Sequence, residues 1–260
     1  MFDCRFTLTD TEAGRRDYAQ SHIPGAIYVH LDEDLSSPIT QTSGRHPLPD
    51  PVMLSEKLSA WGVANNTQII VYDDAFGAVA GRLWWLLRWL GHTKVALLDG
   101  GLPVWLREGY AVTDQVPDVV PSTFEANINT GLMVSSEDVE SMMNNENYLI
   151  IDARAEMRFE GITEPFDKVA GHIPGAINVP YDDNLAVSGG FETQDELHDV
   201  YKERAGNLKN ENIIHMCGSG VTACHNILAM EYAGLPGSRL YAGSWSAWIT
   251  DPERPVATGE

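Results

Sequence analysis

The chain has 260 residues, 43% hydrophobic and 21% charged. That composition excludes a disordered, collagen-like or disulfide-scaffold protein, and at roughly 150 residues per domain it allows two domains, each burying its own core. A formal charge of −20, from 17 Lys and Arg against 37 Asp and Glu, repels phosphate backbones and anionic bilayers, so neither nucleic acid nor membrane is an expected partner.

The N-terminus, Met1-Phe2-Asp3-Cys4-Arg5, has neither a basic leader nor an apolar stretch with a cleavage site, which points to a cytoplasmic address. Asp3-Cys4-Arg5 recurs as Asp152-Ala153-Arg154, and His22-Ile23-Pro24-Gly25-Ala26 recurs as His172-Ile173-Pro174-Gly175-Ala176. A repeat of this length decides the architecture. Residues 68–72 read as a short buried strand, followed by a loop and a helix over about residues 78–90 that ends at Gly91. The apolar run Leu83-Trp84-Trp85-Leu86-Leu87 in that helix is far short of the roughly 20 residues a bilayer demands. Another strand over 95–98 leads to Asp99-Gly100 and Trp105. The second half repeats the series: a strand at 212–216, a helix over about 221–233 ending at Gly234, a strand at 240–242, and Trp248 beyond.

Strand, helix and strand in alternation imply right-handed crossovers and a mainly parallel sheet with helices on both faces, so each half is expected to be an α/β domain. Residues 116–134 contain Pro117, Pro121 and Gly131 without sustained periodicity, which suits a surface linker between domains at 1–115 and 135–260. About 19 residues precede Asp152 in the second half and two precede Asp3 in the first. The first half therefore reads as N-terminally shortened, with one flank of its sheet less covered.

Three cysteines, Cys4, Cys217 and Cys224, are too few for a disulfide framework and are not spaced for structural zinc. Cys217 stands out. It ends a strand and opens Gly218-Ser219-Gly220-Val221-Thr222 ahead of a helix, where glycines let successive N–H groups ring one centre and the helix adds its positive end. Such a ring favours a thiolate and makes Cys217 the candidate nucleophile. Cysteine phosphatases use a similar cradle, but they need an Arg six positions after the cysteine to clamp the phosphoryl group. Ala223 stands there, so a smaller group such as a single sulfur atom is the natural occupant. At the matching position the first half carries Asp73-Asp74 and has no nucleophile to offer.

These residues resemble the tandem rhodanese-like family along essentially the whole chain: Asp-x-Arg and His-Ile-Pro-Gly-Ala in both halves, Cys217-Gly218-Ser219-Gly220-Val221-Thr222-Ala223, and the ending Tyr241-Ala242-Gly243-Ser244-Trp245-Ser246-Ala247-Trp248. The loop is similar to that of the family's 3-mercaptopyruvate sulfurtransferases; thiosulfate-specific members typically place basic residues after the cysteine. The resemblance implies transfer of sulfur from 3-mercaptopyruvate, through a persulfide on Cys217, to a thiol, a thioredoxin-like protein or cyanide. It implies no metal and no organic cofactor. Catalytic roles fall to Cys217, Ser219 and His22, with Asp10 or Glu12 as a relay acid, and the persulfide is sheltered by Gly218, Ser219, Gly220, Val221 and Thr222. Arg158 is expected to hold the substrate carboxylate, and Lys168 falls near a second family arginine. The inactive first half is expected to wall a cleft. Two alternatives stay open: thiosulfate as the donor, and a noncatalytic binding or redox-sensing module using Cys217 and Cys224.

Overall fold

Short apolar runs alternating with amphipathic stretches produce two parallel sheets in the computed structural model of the protein, which describes residues 1–259. One unit comprises residues 1–37, 48–130 and 187–190; the other comprises 38–47, 131–186 and the remainder of the described chain from 191. The segment 38–47 thus belongs to the second unit although it lies within the first half of the sequence.

The first unit runs β1 (Phe2–Asp3), α1 (Ala13–Gln20), β2 (Ile27–Tyr28), α2 (Pro51–Ala60), β3 (Ile69–Tyr72), α3 (Ala80–Trp89), β4 (Val95–Leu97) and α4 (Gly101–Arg107). Its strands pair in parallel in the order β2-β1-β3-β4. The Ile-Ile-Val-Tyr run of β3 suits a strand covered on both faces, and α3 is apolar nearly all round because almost every residue in it is buried. Asp50 caps α2 by accepting from the N–H groups of Val52 and Met53, with Pro51 at the first helical position.

The second unit runs β5 (Met133–Val134), α5 (Ser136–Met142), β6 (Leu149–Asp152), α6 (Glu156–Phe159), β7 (Ile177–Asn178), α7 (Gln194–Ala205), β8 (Ile213–Met216), α8 (Ala223–Tyr232), β9 (Arg239–Tyr241) and α9 (Ser244–Trp248). Its parallel sheet has the order β5-β9-β8-β6-β7, so β7-β6-β8-β9 repeats the first sheet and β5 is an addition. Leu240 on β9, covered by β5, is buried, whereas Ala96 on the outer strand β4 is exposed. Residues 116–129 hold no helix or strand and lie along the first unit. Ser122, Asn127 and Asn129 donate their N–H groups to the carbonyls of Ser59, Leu90 and Trp89, and Phe124 is buried. The expected linker is therefore too long at its end, where 133–134 form the edge strand β5. Among the described residues, no helix is long and apolar enough to cross a membrane.

The repeated motifs have a common structural use. Asp3, at the end of β1, takes the Nε and Nη2 fork of buried Arg5, whose Nη2 also donates to the Ser21 carbonyl. Asp152 holds Arg154 in the same way, and Arg154 Nη2 donates to the Gly171 carbonyl. Each pair ties a strand end to the turn that carries His-Ile-Pro-Gly-Ala. The two histidines finish the anchor: His22 stacks on Tyr18 and His172 on Phe159, both with centroids 3.8 Å apart, and each Nδ1 meets the carbonyl of its stacking partner.

His215, at the centre of β8, is fully buried beside Met230 Sδ, 3.1 Å from its Nε2, and burial lowers its pKa from 6.5 to about 3. Below pH 6.5 the unfolded chain binds a proton there that the fold refuses, so stability falls as pH drops from 6.5 toward 3. In urea unfolding, the wild type is expected to lose about 2 kcal/mol more than His215→Leu between pH 7 and pH 5. Parallel pH profiles for the two proteins contradict this reading.

Candidate active site

The chain between β8 and α8 closes around the Cys217 sulfur. Cys217 is 2% exposed, but its surroundings are polar. Its N–H donates to Ser244 Oγ at 3.0 Å, its carbonyl accepts from Trp245 N–H at 3.0 Å, and the Gly218 carbonyl accepts from Ser246 N–H at 2.9 Å. The first turn of α9 thereby fastens the loop. Gly220 N–H donates to Cys217 Sγ at 3.2 Å. Gly220 has φ +76°, and a Cβ there would stand 2.4 Å from the Ala242 carbonyl oxygen, so only glycine makes this turn. The N–H groups of Gly218, Ser219, Val221 and Thr222 have no hydrogen-bond partner among the described residues, although Gly218, Ser219 and Val221 are buried. Buried donors without acceptors are costly, and a cluster of them at a helix N-terminus is a site for an anion.

The first unit meets the same requirement internally. Asp73 follows β3 as Cys217 follows β8. Its Oδ1 accepts from the N–H groups of Ala75 and Gly77, and its Oδ2 from those of Val79 and Ala80, at 2.8–2.9 Å. Burial raises the Asp73 carboxyl pKa while these four donors hold it down. One loop is filled by its own carboxylate; the other carries a thiol and open donors.

Two further side chains reach the Cys217 loop from residues 38–47. His46 Nδ1 lies 2.7 Å from Ser219 Oγ, both residues buried. Arg45 N–H donates to Ser246 Oγ at 3.0 Å, and its guanidinium Nη1 donates to Asp167 Oδ1. Arg158 donates from Nε and Nη2 to Glu164, at 2.8–3.1 Å, and from Nη2 to Asp167 at 3.3 Å. Arg154 Nη1 reaches the same Glu164. Burial opposes ionisation of Glu164, yet Arg158 and the N–H groups of Phe166 and Asp167 hold its pKa below the usual carboxylate range. A Cβ on Gly218 would meet Arg45 Nη2 at 2.7 Å and Arg158 Nη2 and Nη1 at 3.4 and 3.5 Å. Two guanidinium groups therefore converge on Gly218, the residue after Cys217.

Of the residues expected from sequence, Cys217, Ser219, the loop and Arg158 come together. His22 makes other contacts. Its Nδ1 and Nε2 are engaged by the carbonyls of Tyr18 and Gln115, and it is His46 that partners Ser219. The expected relay acids are likewise committed to arginines: Asp10 to Arg16, and Glu12 to Arg15. Lys168 is exposed, with no ion pair or hydrogen bond among the described residues. Cys4 and Cys224 are buried, and Cys224 Sγ donates to the Gly220 carbonyl at 3.3 Å. Arg45 and His46 were missed because they sit in an aperiodic stretch; the available signal was the cluster Gly44-Arg45-His46-Pro47 between β2 and α2.

A family model described as the rhodanese-like domain matches residues 1–108 and again 135–251. Over 262 residues the chain is 46% identical to a probable 3-mercaptopyruvate sulfurtransferase from Pseudomonas aeruginosa, covering 100% of this chain and 92% of that protein. It is 32% identical over 269 residues to the thiosulfate sulfurtransferase of Rattus norvegicus, covering 100% and 89%. Among solved structures, SseA from Escherichia coli, described as a 3-mercaptopyruvate sulfotransferase, matches with a TM-score of 0.79 and 32% identity over 95% of this chain and 92% of that one.

The filled cradle in the first unit gives a direct check on the loop's preference for an anion. In Asp73→Asn the carboxamide NH2 faces donors where an oxygen stood, so stability is expected to fall by about 2–4 kcal/mol in urea unfolding. A loss below about 0.5 kcal/mol means the four N–H groups do not require a carboxylate.

Proposed function

Because the chain belongs to the rhodanese family, we propose that it is a sulfurtransferase that takes a sulfur atom from 3-mercaptopyruvate onto Cys217 and passes it to a thiol or to cyanide. The observation that carries this reading is the loop after Cys217, where Gly220 N–H donates to Cys217 Sγ and the buried N–H groups of Gly218, Ser219 and Val221 have no acceptor among the described residues. Such donors stabilise a thiolate before reaction and the terminal sulfur of a persulfide after it. The 46% identical relative favours mercaptopyruvate as the donor, and Gly218 and Ser219 keep the two positions after the nucleophile free of the basic side chains typical of thiosulfate enzymes.

The chemistry balances without an external oxidant. The Cys217 thiolate attacks the donor sulfur, the new S–S bond forms as the sulfur–carbon bond breaks, and the electron pair passes to C3 as the enolate of pyruvate. The proton of the donor thiol ends on C3. Ser219 with His46, at 2.7 Å, provides a hydroxyl–imidazole pair to move it, a task suited to histidine near neutral pH. Arg158 holds the carboxylate with the Nη1 that Glu164 and Asp167 leave open. An acceptor thiolate then attacks the outer sulfur and restores the Cys217 thiolate, a ping-pong cycle. Three cysteines, none in a disulfide, suit a reducing, cytoplasmic compartment in which thiol acceptors are abundant.

Incubation with 3-mercaptopyruvate is expected to release pyruvate and add about 32 Da, one sulfur atom, to the chain. The gain should be absent in Cys217→Ser. No gain in the wild type, or full turnover in Cys217→Ser, ends the proposal, and faster turnover with thiosulfate reassigns the donor. His46→Gln is expected to lower kcat/KM for mercaptopyruvate by about 100-fold or more in steady-state assays, while His22→Gln, after correction for any loss of folded protein, stays within about threefold. The reverse ranking returns the proton-handling role to His22.

A further inference from the structure

We infer that Arg45, rather than Lys168, is the second cation that grips the anionic sulfur donor beside Arg158. The inference rests on reading this loop as the donor site of a sulfurtransferase. A 2-oxo acid presents a carboxylate and an adjacent carbonyl, and fixing both against one nucleophile takes two directed sets of donors. The structure supplies two guanidinium heads over Gly218, the residue next to Cys217: Arg45 Nη2 at 2.7 Å, and Arg158 Nη2 and Nη1 at 3.4 and 3.5 Å, from the position of a Cβ there. They arrive from segments more than a hundred residues apart in sequence, which is why no local motif announces the pair.

Arg45 is also the less neutralised of the two. Arg158 gives Nε and Nη2 to Glu164 and shares Asp167, whereas among the described residues Asp167 is the only carboxylate that Arg45 meets. Arg45 Nε is buried without a partner, and Nη2 has no acceptor among the described residues. Its position relative to the loop is fixed through Ser246, whose Oγ accepts from Arg45 N–H and whose own N–H donates to the Gly218 carbonyl. Asp167 acts as a positioning residue, holding two like charges side by side. Arg45 also lines a cavity of about 510 Å³ together with Ser43, Phe166, Lys168 and Ser246, whose lining does not include Cys217 or Arg158. Lys168 lines that cavity too, but it is exposed, so its single point charge is screened by water and offers no fork.

The test compares Arg45→Gln, Arg45→Lys and Lys168→Gln with the wild type in two ways: KM and kcat for 3-mercaptopyruvate, and the concentration of pyruvate that protects Cys217 from alkylation by iodoacetamide. Arg45→Gln is expected to raise both KM and the protecting concentration by at least about tenfold with kcat within about threefold. Lys168→Gln should stay within about twofold on each. Arg45→Lys keeps the charge without the fork, is expected to fall between, and serves if Arg45→Gln does not fold. Wild-type protection in a folded Arg45 variant, a loss in Lys168→Gln equal to the Arg45 loss, or no protection of the wild type overturns the assignment. A wild type that takes up no sulfur yet shows this dependence of protection on Arg45 refutes the donor reading and supports the anion grip.

Discussion

A peptide N–H buried in a tight turn must find an acceptor, and the turn after the central strand of each unit gathers several of them. In the first unit the requirement is met by Asp73, whose two oxygens take four N–H groups. In the second unit a thiol stands in the same place, and the N–H groups of Gly218, Ser219, Val221 and Thr222 have no acceptor among the described residues. The two loops are one structural solution with different occupants, a carboxylate in the first unit and a thiol in the second.

The rest of the second unit serves that loop. Ser244 and the start of α9 hold the Cys217 and Gly218 backbone, and Asp152 with Arg154 fixes the neighbouring strand end. Glu164 and Asp167 then align Arg158 and Arg45 over Gly218. A chain carrying −20 overall repels a small anion at long range, so on the proposed reading capture falls to these guanidiniums at close quarters, where the low-dielectric setting strengthens them.

Much of this was legible in the sequence because it is encoded locally. The repeated Asp-x-Arg and His-Ile-Pro-Gly-Ala, the strand and helix periods, and the glycines after Cys217 each act within a few residues of where they stand. Helix starts moved by two residues and helix ends by one, to Ala80–Trp89 and Ala223–Tyr232, the residues ahead of each start lying in the turns that follow Asp73 and Cys217. What was missed is non-local. His46 lies 173 positions from the serine it meets, and nothing in the aperiodic run around it signals that it folds with the second unit. For His22 the converse holds: a histidine in a repeated motif looks functional, while stacking on Tyr18 and two carbonyl contacts engage its ring.

The most direct test of the account follows the peptide groups themselves. In 15N-labelled protein, amide proton resonances of residues 218–222 are recorded before and after stoichiometric sulfur loading of Cys217. The account predicts downfield shifts confined largely to these amides, as their N–H groups donate to the added sulfur, with the amides of residues 74–80 unchanged. Loading that leaves the 218–222 amides where they were contradicts it.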